Sequence, residues 1–441
     1  MGKYFKTDGY RGVAGKEITS YTCYKIGQFL GRKYKGGRIV VGKDTRLSSY
    51  MIEYSIVSGI ISCGTDCALM HVCTTPAMSF IVRQDRFDCA VMISASHNQF
   101  FDNGIKIFDS KGEKIGEDVI ADLERFMEED NYLPDESGEY LGKVEDYYHG
   151  RNRYIAFLTT LSDHSFNGLK IGLDTANGST YMIAKCAFCA LGATVYAIND
   201  NPNGTNINLN CGSTNIDALK ELVKKEGLDM GFAFDGDGDR CIAVDENGEE
   251  VDGDKILYVL AQSFKEEGKL YNNSVVSTVM SNKGLEIALN KIGVNLLKSK
   301  VGDRFVYEMM EQNECVLGGE SSGHTIIGMI ERTGDGIATA IELARICAKK
   351  KALLSVLTKP INLFPRSLIN VPLPKDLPQG FSVKALEEII SKYNDGTLFI
   401  LLRKSGTESV IRALIEGENE QVVKNISKIV QREIEEYVNQ K

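Results

Sequence analysis

Hydrophobic and polar positions follow a repeated grammar along the chain. Three segments, IVVGKDTRLSS (39–49), KIGLDTANGST (170–180) and SVVSTVMSNKG (274–284), each open on a β-branched run, pass through a polar or glycine-containing loop and enter a helical pattern. β-Branched runs favour strands, and apolar residues spaced by three and four favour helices. The three segments therefore predict a threefold-repeated α/β unit. Strand and helix patterns alternate through most of the chain, as expected when helices cover mixed or parallel sheets. The C-terminal segment differs: strands are expected near 397–403 and 409–416, then a helix with Val422, Ile426, Ile429, Val430, Ile434 and Val438 on one face. The predicted fold class is α/β, with three similar α/β domains of mixed sheets covered by helices and a C-terminal α+β domain. Acidic, glycine-containing stretches near 133–145 and 245–254, and the Lys349–Lys351 run with Pro360 and Pro365, mark candidate joints. The expected domains are 1–150, 151–250, 251–362 and 363–441.

Two of the predicted strands break in unusual places. In MISASHNQFFDNGIKIF (92–108) an apolar strand ending at Ile93 gives way to Ser, Ala, Ser, His and Asn and resumes at Gly104. Ser96 beside His97 suggests a hydrolase dyad, but neighbours in an extended chain point to opposite faces, so the pair is expected to be poorly placed for a hydrogen bond. No G-x-S-x-G elbow surrounds it. A serine can instead carry a phosphoryl group while a metal draws off charge and a lysine moves the proton. In that scheme His97 and Asn98 fix the loop and Lys106 is the acid or base; an exposed lysine and a loop-orienting histidine are the plainer alternatives.

The second break is GFAFDGDGDRCIAVDENGEE, with Asp235, Asp237 and Asp239 at alternate positions between apolar strands at Phe232–Phe234 and Cys241–Val244. Fully extended, the outer pair would stand about 13 Å apart, too far for one cation. The loop must curl, and Gly236 and Gly238 are the residues expected to permit it by adopting positive φ. Three converging carboxylates repel unless a divalent ion neutralises them, and all-oxygen ligation favours magnesium. An EF-hand starting at Asp235 would end on Glu246, yet it puts Arg240 where glycine is needed and strands where helices belong. A solvated acidic turn is the other alternative, opposed by three acids crowded between apolar strands.

Two further loops carry polar groups. GGESSGH (318–324) offers a carboxylate, hydroxyls and an imidazole suited to vicinal hydroxyls of a sugar. RKSGTES (403–409), between two strands, offers a guanidinium, the hydroxyls of Ser405 and Thr407 and the amide of Gly406, a donor set that matches a phosphate. Each is also an ordinary turn when taken alone. No GxxxxGK[ST] is present, so a P-loop is not supported.

Composition removes several classes. With 441 residues, 43% hydrophobic and 25% charged, the chain can build several cores. A net charge of −9 without a basic cluster makes nucleic acid and anionic membrane poor partners. No apolar run is long enough to span a bilayer, and the N-terminus lacks a secretory pattern, so a cytoplasmic location is expected. Eleven cysteines without framework spacing suit a reducing compartment. The one CxxC, Cys186 to Cys189, lies in an alanine-rich helical stretch and is expected to pack in a core rather than bind metal.

Taken together and in order, the four loops are similar to those of the α-D-phosphohexomutase superfamily, and the resemblance spans essentially the whole chain. KYFKTDGYRG, GKDTR, ISASHN, NPNGTNINLNCGST (201–214) and VGDR (301–304) resemble its phosphoglucosamine mutase branch. The departures are Gln99 and Ser409, where proline is common, and Gly238 and Ser321, where alanine and glutamine are frequent. The resemblance implies four domains around a central cleft, the fourth acting as a lid. It implies that Ser96 is phosphorylated, that Asp235, Asp237 and Asp239 hold Mg2+ together with a phosphate oxygen on Ser96, and that Lys106 is the acid or base. Arg11, Arg46 and Arg240 would shape the centre. Glu320 and Ser322 would grip sugar hydroxyls while His324 assists proton transfer, and Arg403, Ser405, Gly406 and Thr407 would hold the non-reacting phosphate. The expected partner is a small hexosamine phosphate, glucosamine 6-phosphate being converted to glucosamine 1-phosphate through a 1,6-bisphosphate; a homodimer is compatible with the sequence. Phosphomannomutase or phosphoglucomutase activity by the same chemistry is the alternative, and a non-catalytic sugar-phosphate-binding protein is the next.

Overall fold

The computed structural model describes residues 2–6, 8–129, 135–374, 381–393, 397–404 and 409–439. The three predicted repeats become three sheets with a shared plan. In the first, Arg38–Lys43 runs parallel to Asp66–Val72 on one side and Cys89–Ile93 on the other, and Cys89–Ile93 pairs antiparallel with Asp102–Asp109. In the second, Lys170–Asp174 takes the central place between Thr194–Ile198 and Met230–Phe234, which turns back antiparallel into Cys241–Asp245. In the third, Ser274–Thr278 lies between Asn295–Ser299 and Leu317–Gly319, which again pairs antiparallel with Thr325–Ile327. Each sheet thus has a hairpin at the same position in its order. The loops of those hairpins, 94–101, 235–240 and 320–324, contain the serine, aspartate and glutamate motifs.

The strands leading into the first two loops are apolar throughout and fully buried. This is the signature of sheets covered on both faces, where no strand can spare a polar side. The three sheets and most of their helices form one compact unit, Met1–Val279 with Ile292–Pro360. Among the described residues, no helix is long and apolar enough to cross a membrane.

A second compact unit comprises Met280–Lys291 and Ile361–Lys441. Its antiparallel sheet has the order Arg366–Pro372, Val410–Gly417, Leu398–Lys404, and Glu420–Val438 packs against it. The helix face differs from expectation at its start. Val423, Ser427, Val430, Ile434 and Val438 are the buried stripe, whereas Val422 is exposed. Steps of 4, 3, 4 and 4 keep Val423 in line with Val430 and Val438, while Val422 lies about 100° away around the helix.

The CxxC also departs from expectation. It does lie on a helix, Thr180–Ala190, but Cys186 and Cys189 are exposed, and Ile183, Ala184, Ala187 and Phe188 form the buried face. Residues three apart share a helix face, and here that face is the solvent side. The other nine cysteines are buried.

Candidate active site

The serine loop is shaped by its own short side chains. As the chain leaves Cys89–Ile93, Ser94 Oγ donates to Asp44 Oδ2 at 2.7 Å and accepts from the Ser96 amide at 2.9 Å. Ser96 is buried and adopts a left-handed φ of 51°, which costs a non-glycine residue roughly 1–2 kcal/mol. This conformation overturns the expected geometry of the dyad. The alternation of an extended chain does not apply, and Ser96 Oγ comes within 3.2 Å of His97 Nδ1. The same hydroxyl donates to Asp235 Oδ2 at 2.6 Å. Burial, aided by Arg240 and Arg11, pushes His97 down to about 3, so the imidazole is neutral at physiological pH.

The aspartate loop curls as predicted, with a division of labour between its glycines. Gly238 has φ +73° and supplies the left-handed turn. Gly236 has no positive φ; its role is space, because a Cβ there would sit 2.6 Å from the Ser96 carbonyl oxygen. The three carboxylates each bring one oxygen within 4.8 Å of the others, and all three residues are buried. Thr75, at the start of the helix Thr75–Gln84, donates its amide to the Asp237 carbonyl at 2.9 Å and its hydroxyl to Asp237 Oδ2. Asp237 Oδ1 and Asp239 Oδ1 are buried and accept no hydrogen bond among the described residues. Burial and the two neighbouring carboxylates hold Asp235 well above the usual carboxylate range. Clustered buried acids with unsatisfied oxygens fit a hard divalent metal ion, which would neutralise the repulsion and fill the open acceptor positions. Glu246, the final ligand of the EF-hand alternative, instead accepts from the Ser355 hydroxyl.

Lys106, on Asp102–Asp109, reaches the same carboxylates, donating to Asp237 Oδ2 at 2.7 Å and Asp239 Oδ2 at 2.9 Å. Burial alone would lower its pKa, but Asp237, Asp239 and Asp8 outweigh burial and hold it well above that of an ordinary lysine. The polar contacts continue in a closed circuit. Asp8 lies 3.8 Å from Lys106 and 3.4 Å from Lys114; Lys114 contacts Asp303 at 2.5 Å; His324 lies 3.8 Å from Asp303 and 3.7 Å from Asp239. The first and third sheets are thereby joined through a ring of charged groups and one imidazole beside the aspartates.

The three arginines of the expected site are used differently. Arg11 pairs with Asp8 and reaches Asn98 Oδ1 at 3.5 Å. Burial opposes the charge on Arg240, but Asp235, Asp239, Asp8 and Glu320 more than offset it. Arg46 is wholly buried behind the serine loop, donating to Asp44 and to the carbonyls of Ser96, Asn98 and Gln99. Its guanidinium braces the loop rather than opening toward a ligand.

The third loop is locked to the second. The Cys241 amide donates to the Gly323 carbonyl at 3.0 Å, and His324 bridges Arg240 across a short antiparallel contact. Gly334 donates its amide to His324 Nε2 at 3.1 Å, which selects the tautomer with Nδ1–H toward Asp239. Glu320 accepts from the Gly302 amide at 3.1 Å, while Ser322 is exposed at the turn. A cavity of about 200 Å³ opens beside this loop, lined by Glu113, Lys114, Asp303, Tyr307, His324 and Arg332. Arg403 lies on Leu398–Lys404 directly opposite Arg412, whereas Ser405, Gly406 and Thr407 fall outside the described residues. Asp8, Thr75, Lys114, Asn208 and Asp303 complete the site without having been singled out. Asp8, Asn208 and Asp303 stood inside quoted motifs; Thr75 and Lys114 had no local signal.

Models of the phosphoglucomutase/phosphomannomutase family match along the chain: alpha/beta/alpha domain I at residues 2–133, domain II at 152–248, domain III at 252–364 and the C-terminal domain at 368–432. The chain belongs to the phosphohexomutase family. A curated phosphoglucosamine mutase of Lachnospira eligens is 46% identical over 440 residues, covering 98% of each chain. Another, from Bacillus licheniformis, is 41% identical over 98% of this chain and 99% of its own. This phosphohexomutase is accordingly an isomerase of the phosphoglucosamine mutase kind. Solved structures agree in fold. A phosphoglucomutase/phosphomannomutase family protein from Burkholderia thailandensis matches with a TM-score of 0.82 at 22% identity over 98% of this chain and 97% of its own. N-acetylphosphoglucosamine mutase of Aspergillus fumigatus, solved with GlcNAc-6P and magnesium, matches at 0.69 and 15% identity over 99% and 96%.

Proposed function

We propose that this phosphohexomutase interconverts glucosamine 6-phosphate and glucosamine 1-phosphate with Ser96 as the phosphoryl carrier. The observation that carries the assignment is the buried Ser96 hydroxyl held 2.6 Å from Asp235 within a triad of aspartates. The Ser96 phosphate ester breaks at its O–P bond, the phosphoryl group passes to the oxygen of the sugar's 1-hydroxyl, and the proton that hydroxyl gives up ends on Ser96 Oγ, leaving the 1,6-bisphosphate and a free serine hydroxyl. After the intermediate turns over, Ser96 Oγ attacks the 6-phosphate and releases glucosamine 1-phosphate. Phosphorus keeps its oxidation state and the number of phosphates is conserved. No co-reactant is needed beyond the sugar phosphate itself.

Asp235, Asp237 and Asp239 would hold Mg2+, which when bound supplies positive charge for the transferring phosphoryl oxygens. Lys106, cationic against two of these aspartates, is the group assigned to proton exchange at the reacting oxygens. Neutral His97 orients the hydroxyl from its other side. Arg11 and Arg240 contribute fixed positive charge, and Arg46 holds the loop backbone. Glu320, Ser322 and His324 border the sugar position. Arg403, Ser405, Gly406 and Thr407 are assigned to the phosphate that is not reacting, since a guanidinium, hydroxyls and an amide are its natural donors.

The test pairs a substrate panel with intact-protein mass spectrometry. Glucosamine 6-phosphate should be preferred over mannose 1-phosphate and glucose 1-phosphate, a fraction of the purified protein should carry one phosphate, and Ser96→Ala should lose both phosphate and turnover. Dominant turnover of a mannose phosphate would refute the substrate assignment. Unchanged isomerisation by Ser96→Ala would refute the carrier.

A further inference from the structure

We propose that Asn208 is a positioning residue for the phosphoryl-carrying serine, acting with Arg46 as a two-sided clamp on the Ser96 and Asn98 carbonyls. The inference rests on the assignment of Ser96 as carrier. Asn208 Nδ2 donates to the Ser96 carbonyl at 2.8 Å and to the Asn98 carbonyl at 3.0 Å. Arg46 Nη2 donates to the same two oxygens at 3.0 and 2.9 Å. Each nitrogen has two hydrogens and each carbonyl two acceptor positions, so the four bonds use the full capacity of both sides.

The donors come from different sheets. Arg46 follows the central strand of the first, and Asn208 belongs to the asparagine-rich loop 201–214 that follows Thr194–Ile198 of the second. Asn208 is itself fixed: it is buried, has a left-handed φ of 56°, and its amide donates to the Ala176 carbonyl at 2.9 Å. Gly236 leaves the gap through which the clamp reaches, since a Cβ there would lie 2.6 Å from the Ser96 oxygen and 2.9 Å from Asn208 Nδ2.

The clamp answers a demand of the reaction. Ser96 gains and loses a group of nearly two negative charges in each cycle, against three carboxylates, on a backbone held in an unfavourable conformation. Local hydrogen bonds from Ser94 alone would let the loop relax when the charge changes. Pinning the carbonyls on both sides of His97 keeps Oγ aligned with Asp235 in both states, and an error of about 1 Å in such alignment can cost 10²-fold in rate.

Asn208→Ala should lower kcat by about 10- to 100-fold with KM within about threefold of wild type. It should slow single-turnover transfer from a hexose 1,6-bisphosphate to dephosphorylated protein by a similar factor. Asn208→Asp keeps the shape but turns a carboxylate toward two carbonyl oxygens, and should be at least as impaired. The control is Asn203→Ala at an exposed position of the same loop, whose Oδ1 accepts from Thr205 and Asn206 and from no other described residue; its kcat should stay within about twofold. Wild-type kcat and transfer rate in either Asn208 variant would overturn the proposal, as would equal losses in Asn203→Ala. These outcomes are separable from failure of the carrier assignment, which Ser96→Ala tests independently.

Discussion

Two charge clusters in the large unit, one half-buried and one buried, look alike by composition and differ in completeness. Between the helices Gly253–Glu266 and Gly336–Lys350, Glu267 accepts from Arg345 at 3.0 Å, Lys349 at 2.8 Å and Lys269 at 2.6 Å, while Arg345 also donates to Glu342 at 2.9 Å. Burial would raise the Glu267 carboxyl, but these cations hold it down to about 2. Every charge there has an opposite neighbour. At the aspartate loop, Lys106 cannot satisfy three carboxylates, and two buried oxygens accept nothing among the described residues. The first cluster is finished by folding. The second is left open to a cation from outside, and that incompleteness, more than charge as such, is what distinguishes a candidate reacting centre from a structural network.

Removing the external cation should produce the largest difference. Chelation with EDTA should lower turnover by on the order of 10³-fold, reflecting several kcal/mol of charge stabilisation, and added Mg2+ should restore it. Asp237→Asn should show the same loss without restoration. Full activity in metal-free buffer, checked by elemental analysis, would erase the distinction between the clusters.

Stability should reveal an opposite sign at the two places. Without divalent cations, Asp235→Asn should stabilise the protein by about 1–2 kcal/mol, because it removes one of three mutually repelling buried carboxylates. In wild type, Mg2+ at 100 times its Kd should add about 2.7 kcal/mol, and the variant should lose most of that gain. Urea denaturation with and without Mg2+ measures both terms. A metal-free variant less stable than wild type would mean that the hydrogen bond from Ser96 outweighs the repulsion.

The distinction was partly legible in the sequence. Three β-branched runs announced three sheets, and alternate aspartates between apolar strands announced a curled acidic loop, because period and composition are local properties. What stayed hidden depended on backbone signs or on distant partners. The left-handed φ of Ser96 brought His97 to a hydroxyl that an extended chain would have kept away. Gly236 was expected to turn the chain, but its missing side chain instead admits the neighbouring loop. Asn208 lies 112 positions from Ser96, and no spacing rule connects them. Val422 and Val423 are adjacent and equally apolar, and the choice between them turns on which of two neighbouring stripes, through Ile426 or through Val430 and Val438, meets the sheet.

The smallest expected effect is at the completed cluster. Glu267→Gln should cost about 1 kcal/mol at pH 7, since Arg345 keeps Glu342 and the two lysines can turn to solvent. The sign of the pH effect follows from the depressed carboxyl. Below its ordinary value of 4.5 the unfolded chain takes up a proton that the folded chain refuses until about 2. Stability from this group is therefore present above 4.5 and disappears as pH falls toward 2. The variant should have a flatter stability curve across that window and wild-type turnover at saturating Mg2+. Loss of activity in step with stability would show that the helix junction and the aspartate loop are coupled, and the contrast between a finished network and an unfinished one would no longer divide structure from chemistry.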